Sequence, residues 1–147
     1  MTSPNLIPDL KRDEGCRLHA YPDPLSGGEP WTIGYGCTGP GIGPDTEWTQ
    51  QQADEALATR VTLLNSQLMQ YLPWYATLDL LRQDVLVNMA YNMGVHGLLA
   101  FHNTLTFIEN GQYDAAANGM LNSLWARQVP RRANRLALQM KTGVHQN

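Results

Sequence analysis

Asp13-Glu14-Gly15-Cys16-Arg17-Leu18-His19-Ala20-Tyr21-Pro22-Asp23, followed by Trp31-Thr32-Ile33-Gly34-Tyr35-Gly36, is the stretch whose reading decides the fold of this chain. It holds two carboxylates and a hydroxyl, Glu14, Asp23 and Thr32, within nineteen residues. Leu6, Leu10 and Leu18 recur near the 3.6-residue period, so residues 6–20 read as a helix that Pro22 and Pro24 end. From Asp23 to Gly43 there are seven glycines and three prolines around the β-forming run Trp31-Thr32-Ile33-Gly34-Tyr35, which predicts a short, irregular hairpin. One acid on a helix, with another acid and a hydroxyl in turn and strand, suits bond hydrolysis. Such chemistry needs a proton donor on one side and a group that activates water or stabilises charge on the other.

Outward from this stretch, Thr49 and Gln52 have capping-box spacing, and Ala53, Leu57, Val61, Leu64, Leu68 and Tyr71 follow at steps of three and four up to Pro73. The spacing predicts one helix of about 33 Å at 1.5 Å per residue, long enough to connect two lobes. Shorter helices are expected over residues 79–93 before Gly94, 104–110 before Gly111, and 114–128 with Asp114 as cap. A last helix runs from Pro130, which suits a first turn, to Gly143. The expected class is α+β, mostly α. A single domain over 1–147 would comprise an N-terminal helix and small β-lobe in 1–48, a connecting helix in 49–72 and a helical lobe in 73–147.

Composition narrows the function classes. The chain has 147 residues, 43% hydrophobic and 16% charged, which is ordinary for a globular domain. No apolar run approaches the roughly 20 residues that cross a bilayer, so no stable membrane insertion is expected. Residues 1–10 contain two prolines and no hydrophobic signal core, which implies synthesis in the cytoplasm without a signal peptide. Cys16 and Cys37 suit a reduced pair rather than a disulfide framework. The four histidines show no metal-ligand spacing, so neither a metal nor another cofactor is expected. All 13 acids lie in residues 1–114, whereas residues 115–147 carry Arg127, Arg131, Arg132, Arg135 and Lys141 and no acid. That segment reads either as a solvated basic face or as a grip on an anionic polymer or buried acid. It lacks the aromatic interleaving of a nucleic-acid motif, so nucleic acid is not an expected partner.

Three ordered segments then carry a resemblance. They are Asp13-Glu14-Gly15 through Arg17-Leu18, Tyr21, Asp23 and Thr32-Ile33-Gly34-Tyr35-Gly36; Asn88-Met89-Ala90-Tyr91-Asn92-Met93-Gly94 leading to Phe101, Asn103, Thr104 and Leu105; and Trp125-Ala126-Arg127-Gln128-Val129-Pro130-Arg131-Arg132-Ala133-Asn134-Arg135. Together they resemble the T-even phage lysozyme family (glycoside hydrolase family 24) over roughly residues 10–143. The chain departs from the family pattern in three places. Eight residues separate Asp23 from Thr32, a longer interval than usual; Cys37 stands where several relatives carry histidine; and the stretch from Thr38 to Trp48 is short.

The resemblance implies a lysozyme-like two-lobed fold. It also implies an endolysin that hydrolyses the β-1,4 bond between N-acetylmuramic acid and N-acetylglucosamine of peptidoglycan, with inversion, for host lysis. Glu14 would be the general acid, Asp23 the ionised stabilising carboxylate and Thr32 the water-orienting hydroxyl. Arg132 would pair with Glu14, and Tyr91, Asn92 and Thr104 would line the saccharide cleft. A monomer reaching the wall of the periplasm through a holin's lesion would fit. Read alone, Glu14 is a surface glutamate, Asp23 a turn former, Thr32 a strand residue and Arg132 a surface arginine. Trp31 and Trp125 offer sugar-stacking faces, with Trp125 the better core residue. The competing readings are lytic transglycosylation, which needs no activated water, and a wall-binding or membrane-perturbing module that uses the basic segment.

Overall fold

The structure, a computed structural model, describes residues 2–147. It is mostly helical with one two-stranded antiparallel sheet, as the sequence predicts. Two compact units share the chain: Ile7–Thr62, and Leu63–Asn147 together with the first residues through Leu6.

The Ile7–Thr62 unit contains nearly all of α1 (Leu6–Glu14), then β1 (Arg17–Tyr21) and β2 (Thr32–Gly34). The helix expected over residues 6–20 stops at Glu14. Gly15 takes φ +67°, a conformation that costs glycine least, and its N–H donates to the Lys11 carbonyl at 3.1 Å. Beyond this turn the chain continues as strand β1. Arg17 pairs with Gly34 and Tyr21 with Thr32, so the step from 17 to 21 on β1 faces only 32 to 34 on β2, and the ladder is irregular between them. Both flanks gain further backbone bonds. Ala20 N–H donates to Thr46 C=O at 3.0 Å and Trp48 N–H to Leu18 C=O at 2.9 Å, while Ile33 and Cys37 exchange bonds of 2.9 and 2.8 Å.

The helix α2 (Gln50–Tyr71) begins with the predicted capping box. Gln52 N–H donates to Thr49 Oγ1 at 3.1 Å, and Thr49 N–H donates to Gln52 Oε1 at 2.8 Å. Its buried stripe is Ala53, Leu57, Val61, Leu64 and Leu68. The division between the two units falls inside this helix, after Thr62. Within the first unit Tyr35 is a hub: its buried ring lies beneath Lys11 Nζ at 5.7 Å, and its hydroxyl meets Asp54 Oδ1 at 3.3 Å and Gln50 Nε2 at 3.0 Å. Lys11 Nζ and Asp54 Oδ1 are 3.2 Å apart, which closes the cluster.

The second unit adds a 3₁₀ turn (Tyr75–Thr77), α3 (Leu80–Met93), α4 (Val95–Leu99), α5 (His102–Glu109), α6 (Tyr113–Leu121), α7 (Leu124–Gln128) and α8 (Pro130–Thr142). Residues 83–91 of α3 are buried without interruption, so this helix is enclosed on every side by its neighbours. Each fully buried Leu or Met here is worth about 1.5–3 kcal/mol. Polar groups carried inside with it are satisfied: Gln83 Nε2 donates to the carbonyls of Tyr75 and Leu78 at 3.1 and 2.9 Å. Asp84 accepts from the backbone N–H of Ser3 at 3.1 Å and from its hydroxyl, tying the N-terminal segment to α3. The expected helix over 114–128 is two helices. Ser123 breaks the run and caps α7, accepting from Ala126 N–H at 3.1 Å, whereas Asp114 sits in the first turn of α6 and does not cap it.

Candidate active site

Glu14, Asp23 and Thr32 all belong to the Ile7–Thr62 unit. Glu14 is the last residue of α1, half-buried, because Gly15 turns the chain immediately after it. Its carboxylate reaches the turn after β2. Oε1 stands 3.0 Å from the point a β-carbon on Gly36 would occupy. Gly36 has φ +80°, so its lack of a side chain serves both the backbone turn and the close approach. The carbonyl of the same residue accepts from Arg60 Nη1 at 3.4 Å.

Asp23 lies two residues past the Tyr21–Thr32 pair. Its Oδ2 accepts two backbone amides, Leu25 N–H at 3.1 Å and Ser26 N–H at 2.9 Å. Its own N–H donates to the Gly28 carbonyl at 2.9 Å, and its carbonyl accepts from Gly27 N–H at 2.8 Å. The longer interval before Thr32 is therefore an ordered turn built on Asp23, and it leaves the strand ends paired. Asp23 forms the turn with one oxygen; Oδ1 accepts no hydrogen bond among the described residues. Thr32 opens β2 opposite Tyr21, half-buried. One short segment, residues 32–36, thus meets the end of β1, two residues before Asp23, on one side and the Glu14 carboxylate on the other.

The other expected site residues lie in the helical unit. Arg132 is 7% exposed on α8, and its Nε donates to Asn88 Oδ1 of α3 at 2.8 Å. Tyr91 is buried on α3. Asn92 is exposed, but its side-chain oxygen accepts from Trp125 Nε1 at 2.7 Å. Trp125 itself is buried and meets Phe101 edge-on at 6.3 Å between ring centres, the packing role expected of it. Thr104 is buried on α5, with its hydroxyl 2.5 Å from where a β-carbon on Gly119 would stand.

Electrostatics in the first unit centre on Lys11, Tyr35 and Asp54. The Gln50 amide and the Lys11 ammonium hold Asp54 below its ordinary value of 3.8. The hydrogen bond to Asp54 holds Lys11 above 10.5, and burial pushes Tyr35 above 10.0. Among the described residues no group of three or more His, Cys, Asp or Glu side chains could hold a metal ion, and no helix is long and apolar enough to cross a membrane.

The family profile described as Phage lysozyme matches residues 11–137, a span that takes in both units and every candidate residue above. The chain belongs to the phage lysozyme family. Curated relatives match shorter stretches. Probable T4-type lysozyme 1 of Dictyostelium discoideum is 39% identical over 70 residues, 48% of this chain and 41% of that protein. The endolysin of Lactococcus phage c2 is 37% identical over 86 residues, 58% of this chain and 36% of the endolysin. The pre-baseplate central spike protein Gp5 of Enterobacteria phage T4 is 35% identical over 71 residues, 48% of this chain and 12% of the spike protein. The matched segments thus span about two fifths or less of these relatives' lengths.

Within this phage lysozyme fold, two supporting residues escaped the sequence reading. Gly36 closes the Thr-Ile-Gly-Tyr-Gly run, but only the path of α1 brings Glu14 to it. Asn88 lies between the apolar runs Val85-Leu86-Val87 and Met89-Ala90, and that placement was the available signal that it serves a buried partner.

Proposed function

We propose that this chain is a muramidase that hydrolyses the β-1,4 bond between N-acetylmuramic acid and N-acetylglucosamine of peptidoglycan, with inversion. The observation that carries the reading is the segment 32–36, which meets the Glu14 carboxylate at Gly36 and the strand leading to Asp23 at Thr32. Glu14 donates a proton to the leaving glycosidic oxygen as the C–O bond breaks. Asp23 stabilises the positive charge that develops on the sugar, with Oδ2 fixed by two backbone amides. Thr32 orients the water whose oxygen bonds to the anomeric carbon from the opposite face, while the proton that water loses passes to the Asp23 carboxylate. Pre-set donors and acceptors of this kind cost no reorganisation during reaction. Arg132, Tyr91, Asn92 and Thr104 serve saccharide binding or support on the same reading.

The membership in the phage lysozyme family and the endolysin name borne by a relative support a cell-wall hydrolase acting in host lysis. The chain acts as a monomer, is made in the host cytoplasm and reaches the wall through a membrane lesion made by a holin. Mass spectrometry of digested wall tests the chemistry. Reducing N-acetylmuramic acid ends are expected, and anhydro-sugar ends would replace hydrolysis by transglycosylation. Proton NMR of the first products reads the anomer: the α form is expected, and an initial β form would mean retention.

A further inference from the structure

The turn built on Asp23 does more than lengthen a loop. Glu29, Pro30 and Trp31, which follow it, form one wall of a pocket of about 430 Å³ whose other wall is Gly39 and Ile42, all within the Ile7–Thr62 unit. Both walls are bonded to themselves. On one side, Ser26 Oγ donates to the Glu29 carbonyl at 2.7 Å and accepts from Gly28 N–H at 3.2 Å. On the other, Ile42 N–H donates to Gly39 C=O at 3.2 Å, and Gly43 N–H donates to Thr46 Oγ1 at 2.8 Å. A pocket between two self-bonded turns is preorganised, so a ligand meets little ordering cost.

Its functional groups are unspent on the protein. Trp31 is half-exposed, unlike the buried Trp125, and its indole N–H donates to nothing among the described residues. The Glu29 carboxylate has neither a hydrogen bond nor an ion pair among them. Gly39 leaves its side of the pocket open, with nothing within 4 Å of its β-carbon position. An aromatic face, one donor and one carboxylate acceptor on a concave surface match a molecule with an apolar face edged by hydroxyl and amide groups. The carboxylate repels anions, which selects a neutral ligand.

We propose that this pocket is a saccharide subsite separate from the three candidate catalytic side chains, and that it takes a neutral N-acetylhexosamine of the glycan strand. Trp31 stacks on the sugar ring, its indole N–H reaches an oxygen of the sugar, and Glu29 accepts from a hydroxyl or the acetamido N–H. Trp31 directly precedes Thr32, so a glycan held here is held beside the strand that opens the candidate active site. The subsite rests on the proposed glycan substrate and adds a second grip on it.

Titration of the isotope-labelled full chain carrying Glu14→Gln with tri-N-acetylglucosamine tests the subsite by NMR. The expected result is saturable shifts at the Trp31 indole N–H and at the Gly39 and Ile42 amides. Trp31→Ala should weaken them roughly tenfold and Glu29→Gln severalfold. The Glu29 carboxylate has no partner among the described residues, so Glu29→Gln keeps the test sound if Trp31→Ala fails to fold. The proposal is overturned if the sugar leaves those three signals unmoved, or if both variants bind like the parent. Continued wall cleavage by Glu14→Gln would overturn the catalytic assignment instead and leave this titration readable.

Discussion

The Glu14 carboxylate rests against Gly36, with Oε1 3.0 Å from the place where any larger residue would put its β-carbon. The contact joins the end of α1 to the turn after β2. It makes the position of the candidate acid a property of the hairpin as well as of the helix. Gly36→Ala should therefore cost about 1–2 kcal/mol of stability through the strained φ of +80°. It should cost on the order of a hundredfold in kcat through displacement of the carboxylate. Thermal melts and wall-lysis rates on the same preparation separate the two effects. Unchanged turnover would mean the contact does not position Glu14.

Arg132 makes a different demand, because it is a charged side chain inside the helical unit. Its bond from Nε to Asn88 Oδ1 is charge-assisted, and Asn88→Ala removes the acceptor while the guanidinium stays buried. A loss of about 1.5–3 kcal/mol is expected, read as a lower urea midpoint. A midpoint equal to the parent's would show that the bond contributes nothing net.

Local rules made some of these elements legible and non-local pairing hid others. The start of α2 could be read because a capping box needs only Thr49 and Gln52. The end of α1 could not, because Leu18 continued the helical period past Gly15. β1 does alternate polar and apolar residues over Arg17-Leu18-His19-Ala20, but over only four positions and with Leu18 also on the helical period, so its partners β2 and residues 46–48 define it. The break at Ser123 followed from a cap hidden inside an apparently continuous helix. In the site, residue types and order pointed to Glu14, Asp23 and Thr32. The turn that Asp23 organises depends on the backbone amides of residues 25 and 26, which carry no side-chain signature.

The Lys11–Asp54–Tyr35 cluster sets a pH window for the first unit. Asp54 is held below 3.8, so its contribution is present above that value and is lost as pH falls through its lowered folded-state value. Lys11 is held above 10.5, so its contribution is present below that value and is lost as pH rises through its raised one. Melting temperatures of the parent and of Asp54→Asn, measured from acid to alkaline pH, should differ most between these limits, converge in acid and narrow in alkali, where the Gln50 bond to Asp54 remains. A constant difference across the range would remove the cluster from the account. Because both side chains are well exposed, added salt should shrink the difference.

The assignment of Glu14 as proton donor is most directly tested by the turnover of Glu14→Gln on purified peptidoglycan, with folding checked by circular dichroism. Glutamine keeps the shape of the side chain and removes the acidic proton. The account predicts a folded protein with nearly all turnover lost, on the order of the 10²–10⁴-fold that positioned proton transfer supplies. A folded Glu14→Gln variant that releases wall fragments at the parent's rate would contradict it.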